Sequence, residues 1–259
     1  MKKIYIFYCF FWGLITNAQA TTVSHEFNVQ LGAFNASRCN FTYSITTSNY
    51  EISSSVQTAG FFDTLYPFKA EYSTTGKIKE NKLETSSYRY QSQSRFNKRH
   101  KELIYDKNGK PIYRISSKNE KTKKVELDNS TNNKDTTDLQ TVFAKLIIQY
   151  NHLKFCDSRM QVFDGKRRFD VLFKDEGKEA LPQTSASSFS GVATKCSMYI
   201  DKLNSDEDDL LWQLTSERPV YIWIMQDKQT SKPFVAHIRI QDTPLGRLDV
   251  AATKINIKE

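Results

Sequence analysis

Between Tyr88 and Phe96 the chain alternates strictly. Tyr88, Tyr90, Ser92, Ser94 and Phe96 fall on one side, and Arg89, Gln91, Gln93 and Arg95 on the other. A period of two is the signature of an extended strand with one face turned to a core. Related patterns recur. Leu103 to Ile115 reads as two short strands around Asp106-Lys107-Asn108-Gly109, where Asn-Gly suits a tight turn. Val162 to Val171 is a second hairpin turning at Asp164-Gly165. Further strands are expected over Val192–Ile200, Val220–Met225, Phe234–Ile240 and Leu248–Ile257. In the last of these the apolar parity shifts between Val250 and Ile255, which predicts a bulge near Ala251-Ala252.

One segment departs from period two. Leu139, Val142, Phe143, Leu146, Ile147, Tyr150 and Leu153 follow the spacing of a helical stripe. Thr137 as N-cap and Gln140 three residues on form a capping box. The predicted helix is about 16 residues, roughly 24 Å long. Before it, the polar stretch of about 119–135 reads as a mobile loop, and Asp206–Asp209 as an exposed turn. The fold class that follows is mainly β: a curled antiparallel sheet, half-barrel or β-spiral, with one amphipathic helix packed across it.

The first twenty residues read differently again. Met1-Lys2-Lys3 is basic, Ile4 to Ile15 is apolar, and Ala18-Gln19-Ala20 offers small residues where a signal peptidase cuts. Residues 1–20 are therefore expected to be a cleaved signal peptide, and 21–259 one β-rich exported domain. About twelve apolar residues are too few for the roughly 20 that a membrane span needs. An exported chain meets oxidising conditions, so Cys39, Cys156 and Cys196 should give one disulfide and one spare thiol. Cys156–Cys196 is the favoured pair, because each adjoins an element expected to pack with the other. Cys39 then reads as a buried, inert thiol.

Several features together resemble the domain-of-unknown-function family 3108. They are the N-terminal strand Phe27-Asn28-Val29-Gln30-Leu31-Gly32-Ala33, then Tyr50-Glu51-Ile52 leading into Thr58-Ala59-Gly60-Phe61-Phe62, and the helix ending near Cys156. The run from Val162 to Asp170, Cys196, and the pair Lys232-Pro233-Phe234-Val235 and Thr243-Pro244-Leu245-Gly246-Arg247-Leu248 complete the likeness. The resemblance implies a Gram-negative periplasmic envelope protein with a curled antiparallel sheet and a Cys156–Cys196 disulfide. It implies no activity.

The titratable residues assemble no catalytic constellation. His25, His100, His152 and His237 are far apart, with no HExxH, CxxC or metal-spaced cluster, and there is no nucleophile elbow or P-loop. His237 is expected to point outward from its strand. No enzyme, metal or cofactor is expected. Around the tight turn, Asp164, Gly165, Arg168 and Asp170 read as structural, with a cross-strand Arg–Asp pair setting the hairpin register. Residues 77–124 hold 15 Lys/Arg against 5 Asp/Glu. Export makes nucleic acid an unsuitable partner for this basic face, so an anionic glycolipid or an envelope protein is expected instead. A curled sheet with an apolar inner face suits a small hydrophobic molecule or lipid. The residues expected to face it are Phe61, Phe62, Tyr66, Tyr88, Tyr90, Tyr221 and Trp223. The expected role is thus non-enzymatic: binding a hydrophobic or lipid-like ligand in cell-envelope maintenance. The alternative is a structural protein docking envelope partners through strand edges and the basic face.

Overall fold

The structure is a computed structural model that describes residues 20–80, 82–127, 136–182, 184–204 and 214–258. The predicted leader up to residue 19, residues 128–135 of the predicted loop, and Asp206–Asp209 lie outside the described residues.

Fourteen strands form one antiparallel sheet that does not close into a barrel. They are β1 (Thr21–Leu31), β2 (Phe34–Ile45), β3 (Asn49–Thr58), β4 (Phe68–Lys79), β5 (Lys82–Ser94), β6 (Lys98–Tyr105) and β7 (Pro111–Lys118). After them come β8 (Lys121–Glu126), β9 (Ser158–Phe163), β10 (Arg168–Ala180), β11 (Val192–Asn204), β12 (Val220–Gln226), β13 (Pro233–Thr243) and β14 (Gly246–Lys258). Two helices interrupt the strands: α1 (Phe61–Leu65) after β3 and α2 (Leu139–Leu153) between β8 and β9.

Sequence neighbours pair throughout, and the one exception sets the architecture. β1 pairs with β14 in the middle of the sheet, so β8 and β9 become its two edges. The connection carrying α2 must therefore run from one edge to the other across the concave face. The sheet curls far enough for its two halves to meet. Lys101 of β6 donates to the Asp164 carbonyl at 3.2 Å, and Arg114 of β7 donates to the Gly165 carbonyl at 2.8 Å. Gly165 has φ +91°, and a Cβ there would sit 2.7 Å from the buried Leu103 side chain. Glycine is thus required both by the turn and by the contact.

The helix spans the predicted residues but starts from a different cap. Thr137 is held in a short parallel bridge to Val162, with its N–H on the Gln161 carbonyl at 2.9 Å. Asp138 is therefore the N-cap. Its buried carboxylate accepts from the Gln140 and Thr141 amides at 3.0 and 3.1 Å. It also accepts from the hydroxyls of Thr74 (2.9 Å), Thr85 (3.1 Å) and Thr141 (2.6 Å). At the other end Lys154 adopts the left-handed C-cap conformation, and Cys156 is disulfide-bonded to Cys196 on β11, Cα to Cα 6.0 Å. Closing that loop contributes roughly 3–4 kcal/mol in the chain-entropy picture. Neither described helix is long and apolar enough to cross a membrane.

Val142, Leu146, Ile147 and Tyr150 of α2 belong to the main core with Val162, Phe169, Val171, Met198, Ile222 and Ile224 from β9–β12. A smaller core lies on the convex face, where Leu181, Ala193, Trp223, Phe234 and Ala236 meet Phe189.

Three local expectations change. Residues 121–126 are not loop but the edge strand β8. Asn119 and Glu120, both at positive φ, make the turn that returns it along β7. Its side chains are almost all exposed and basic or polar, so no apolar pattern signals it. The β14 bulge falls at Thr253, where pairing steps from Glu26–Lys254 to Phe27–Ala252. In the β9–β10 hairpin, Asp170 pairs with Arg159, whereas Arg168 donates to Gln161 at 2.7 Å. Asp164 instead caps its own turn, accepting from the Lys166 and Arg167 amides at 2.9 and 2.8 Å.

Replacing Asp138 with alanine removes a cap and leaves two threonine hydroxyls on the sheet without their acceptor. The expected loss is about 3–5 kcal/mol, read as a lowered urea midpoint.

Candidate functional site

The helix fills only part of the concavity. Its apolar stripe leans on the β9–β13 half, and its first two turns stand over β1–β5. A cavity of about 370 Å³ remains between them, open to solvent on one side. Its floor comes from cross-strand neighbours. Val23, His25 and Phe27 point inward along β1, and the register places Phe41 opposite His25, Cys39 opposite Phe27 and Tyr43 opposite Val23. The His25 ring stacks on Phe27 at 5.6 Å and 7°, and lies 6.1 Å from Phe41 and 6.4 Å from Tyr43. Val56, Tyr72 and Tyr88 continue the wall along β3–β5, and Leu139, Phe143 and Ile147 of α2 form the roof.

The polar content is sparse. Among the described residues no Lys, Arg, Asp or Glu lines the cavity. Gln140 is occupied, accepting from Ser54 at 2.7 Å and donating to Thr74 at 3.0 Å. His25 is 3% exposed, and neither ring nitrogen makes a well-formed hydrogen bond. Burial pushes its imidazole down to about 4, only partly offset by the Phe41 main chain, so the ring is neutral near pH 7. A neutral imidazole offers one donor and one acceptor. Burial also pushes the Cys39 thiol up to about 11, against a partial pull from Ser37, which makes it a poor nucleophile. The Tyr43 and Tyr72 phenols rise to about 12 for the same reason.

The residues expected to face a ligand are dispersed. Tyr88 lines the cavity, and the Tyr90 ring lies tilted against the cavity residue Tyr72, centroids 4.9 Å apart. Tyr221 and Trp223 do not reach it. Val220, Ile222 and Ile224 take the concave side of β12, which sends the two aromatics to the convex face. There the Trp223 indole donates to Glu179 at 2.9 Å, and Lys195 lies over the Tyr221 ring at 4.5 Å. Phe61, Phe62 and Tyr66 lie on and just after α1, beyond the end of β3. Gly60 at φ +58° breaks the strand there, so these rings cannot turn back over the concave face. His25, Phe27, Phe41, Tyr43 and Phe143 were missed. Their signal was the same period-two pattern in β1 and β2, together with the helical stripe.

His237, expected outward, is fully buried. An extra residue in β13 lies between the partners of Trp223 and Ile224, and the convex side here is covered by the core that Leu181 and Phe189 form with Trp223. Its Nε2 lies 2.8 Å from Asp249, whose carboxylate also accepts from Arg239 (2.6 Å) and Arg247 (2.8 Å). Burial lowers the His237 pKa and outweighs the pull of Asp249. Its other ring nitrogen has no partner, so no hydroxyl or thiol completes a relay among the described residues. The same residues hold no group of three His, Cys, Asp or Glu side chains placed to bind a metal ion.

No curated protein matches the chain in sequence. Among solved structures, it is similar to the beta-barrel-like protein of domain of unknown function DUF1849 from Brucella abortus. The superposition covers 94% of this chain and 100% of that one, at TM-score 0.51 and 8% identity, which is a likeness of fold. The family model described as "Protein of unknown function (DUF3108)" matches residues 26–250. With that match running from β1 into β14, the chain belongs to the DUF3108 family.

Proposed function

We propose that the protein is a non-enzymatic carrier that holds a hydrophobic, lipid-like molecule under α2, in service of the cell envelope. One observation carries this reading: an apolar cavity of about 370 Å³ left open beside a helix that could have filled it. Small-molecule sites begin near 300 Å³, and at about 30 Å³ per water-sized group this one takes on the order of twelve heavy atoms. That suits one medium alkyl chain or the end of a longer one.

The lining also selects the head of the ligand. A carboxylate or phosphate would enter without a cation to meet it, which is costly in an apolar site. A hydroxyl, ester or amide carries no charge to leave unpaired; the His25 ring lines the cavity, but both of its nitrogens are closed off from it. The preferred ligand is therefore an uncharged amphiphile. Docking of partners through strand edges has less support. Edge strand β8 carries Lys121, Lys123 and Lys124, the charges that keep an edge from pairing.

Native mass spectrometry of gently purified protein should show a bound amphiphile. Titration with n-alkyl alcohols should tighten about fourfold per added methylene until the cavity is full, since each buried methylene contributes about 0.8 kcal/mol. Val56→Trp should abolish both signals. A ligand-free protein that takes up no alcohol of any length would sink the carrier reading. If alcohols bind but the matching carboxylates bind as tightly at pH 7, only the preference for an uncharged head is wrong.

The buried imidazole also sets a pH dependence. His25 titrates near 6.5 when unfolded and at about 4 when folded. Between those values the unfolded state binds the extra proton, so stability declines as pH falls through this window and is lowest below about 4. The integrated loss is about 3 kcal/mol. Unfolding free energies measured at successive pH values should show it in the wild type, and the decline should be shallower by that amount in His25→Leu.

A further inference from the structure

The aromatic residues that miss the cavity gather elsewhere. In an antiparallel meander, alternate turns lie at the same end of the sheet. The β1–β2, β5–β6 and β13–β14 turns and the α1 segment between β3 and β4 all lie at one end, which we call the rim. Each carries a large apolar residue turned to solvent: Phe34, Phe61, Leu65, Tyr66, Phe96 and Leu245. Phe61, Tyr66, Phe96 and Leu245 are 67, 73, 78 and 75% exposed, far more than packing on their own loops would leave.

Hydrogen bonds to main-chain carbonyls join these turns into a continuous edge. The Gly32 amide donates to the Arg247 carbonyl at 3.1 Å, linking the β13–β14 turn to the β1–β2 turn. The Ala59 amide donates to the Ala36 carbonyl at 2.9 Å, placing α1 next in line. Arg95 reaches the Thr64 carbonyl at 3.4 Å, which brings in the β5–β6 turn. Asn119 then donates to the Phe96 carbonyl at 3.4 Å, adding the β7–β8 turn.

The charges beside these turns are mixed but lean positive. Lys69, Arg95, Lys98, Arg99, Lys118, Lys121, Lys123 and Arg247 stand within three residues of the apolar groups or of the turns, against Asp63, Glu120 and Asp242, with Lys69 ion-paired to Glu71 and Arg247 to Asp249. The Asp63 carboxylate already accepts from Thr58 at 2.9 Å. Aromatic rings on turns, spaced along an edge and flanked by Lys and Arg, match the interface of an anionic bilayer. There the rings lie at headgroup level and the cations meet phosphates. A protein partner would call for a contiguous packed patch, and these side chains project singly.

A second observation points to the same occupant. Of the strands that bear the rim turns, β1–β5, β13 and β14 also line the cavity with their concave faces. From Phe34 to the cavity residue Cys39 is five residues along one strand, roughly 17 Å. We propose that this rim is a membrane-docking surface, which seats the open sheet on an anionic lipid leaflet. The proposal rests on the rim and its charge, and stands whether or not the cavity carries a ligand.

The test is flotation of the protein, purified after export from a bacterial host with removal of the leader checked by mass, with phosphatidylcholine vesicles lacking or containing phosphatidylglycerol. The wild type should float with the anionic vesicles, less so as salt is raised, and only weakly with the neutral ones. Phe61→Ser/Tyr66→Ser/Phe96→Ser should reduce the bound fraction about tenfold or more. Arg95→Gln/Lys98→Gln should weaken binding to anionic vesicles only. All five residues lie outside the buried core, so an unchanged urea midpoint confirms the fold of both variants. Val56→Trp, which fills the cavity, should float like the wild type. Failure of the wild type to float overturns the proposal, as does full flotation of the aromatic variant. A wild-type dimer that the aromatic variant converts to a monomer, without vesicle binding, would assign the rim to a second copy and overturn it equally.

Discussion

The buried carboxylate of Asp138 holds this structure in its observed form. It ends the helix, and it also fastens the helix to the sheet, accepting from Thr74 on β4 and Thr85 on β5. Tyr50 of β3 extends the same network through its hydroxyl, 3.2 Å from Thr85 and 3.3 Å from Thr141. A buried carboxyl group with both oxygens engaged in hydrogen bonds tolerates little displacement. The N-terminal end of α2 is thereby set over one half of the concave face, while the disulfide at Cys156 fastens its other end to the centre of the opposite half. The space between helix and β1–β5 follows from those two anchors. The helix cannot tilt into the gap without breaking one of them.

The topology explains why a helix lies there at all. Pairing β1 with β14 places both chain ends of the sheet at its centre and sends the two halves outward in opposite senses. The crossing from β8 to β9 must then bridge the open side, and the apolar stripe of α2 is what lets it do so buried. The two faces end up with different chemistry. The concave face keeps the helix, the main core and the cavity with its neutral histidine. The convex face of β11–β14 is closed by Leu181 and Phe189 over Trp223, with Asp249 ion-paired nearby. A histidine beside a buried acid often signals catalysis. Here two arginines already pair with that acid, so the group braces β13 against β14.

Much of the fold was legible in residue order. Alternation marked the strands from β5 onward, Asp-Gly and Asn-Gly marked two turns, and the stripe from Leu139 to Leu153 marked the helix to the residue. Where the reading failed, the cause was local and physical. β8 carries almost no apolar residue, so period two had nothing to act on. His237 does take the outer side of β13, beside Trp223, but a second core distant in sequence covers that face and buries it. Thr137 looked like a cap because its pairing with Val162, distant in sequence, was invisible. Size and hydropathy alone place the aromatics of 61–66 in the interior, although β3 ends at Thr58 and Gly60 leads into α1 instead.

By itself, then, the sequence determined the element types, the curled antiparallel class, the Cys156–Cys196 pair and the family. The elements depend on periodicity over residues close along the chain, and the disulfide, across 40 residues, on how few cysteines there are and which elements they adjoin. Only the tertiary structure decided which rings face the cavity, that a cavity exists, and that His25 stands unpartnered within it. Those outcomes depend on the side of a twisted, bulged sheet that each residue takes. They depend equally on a helix whose position is set by threonines 64 and 53 residues away from Asp138. No local pattern records a contact between groups so far apart, because it is the closing of the fold that brings them together.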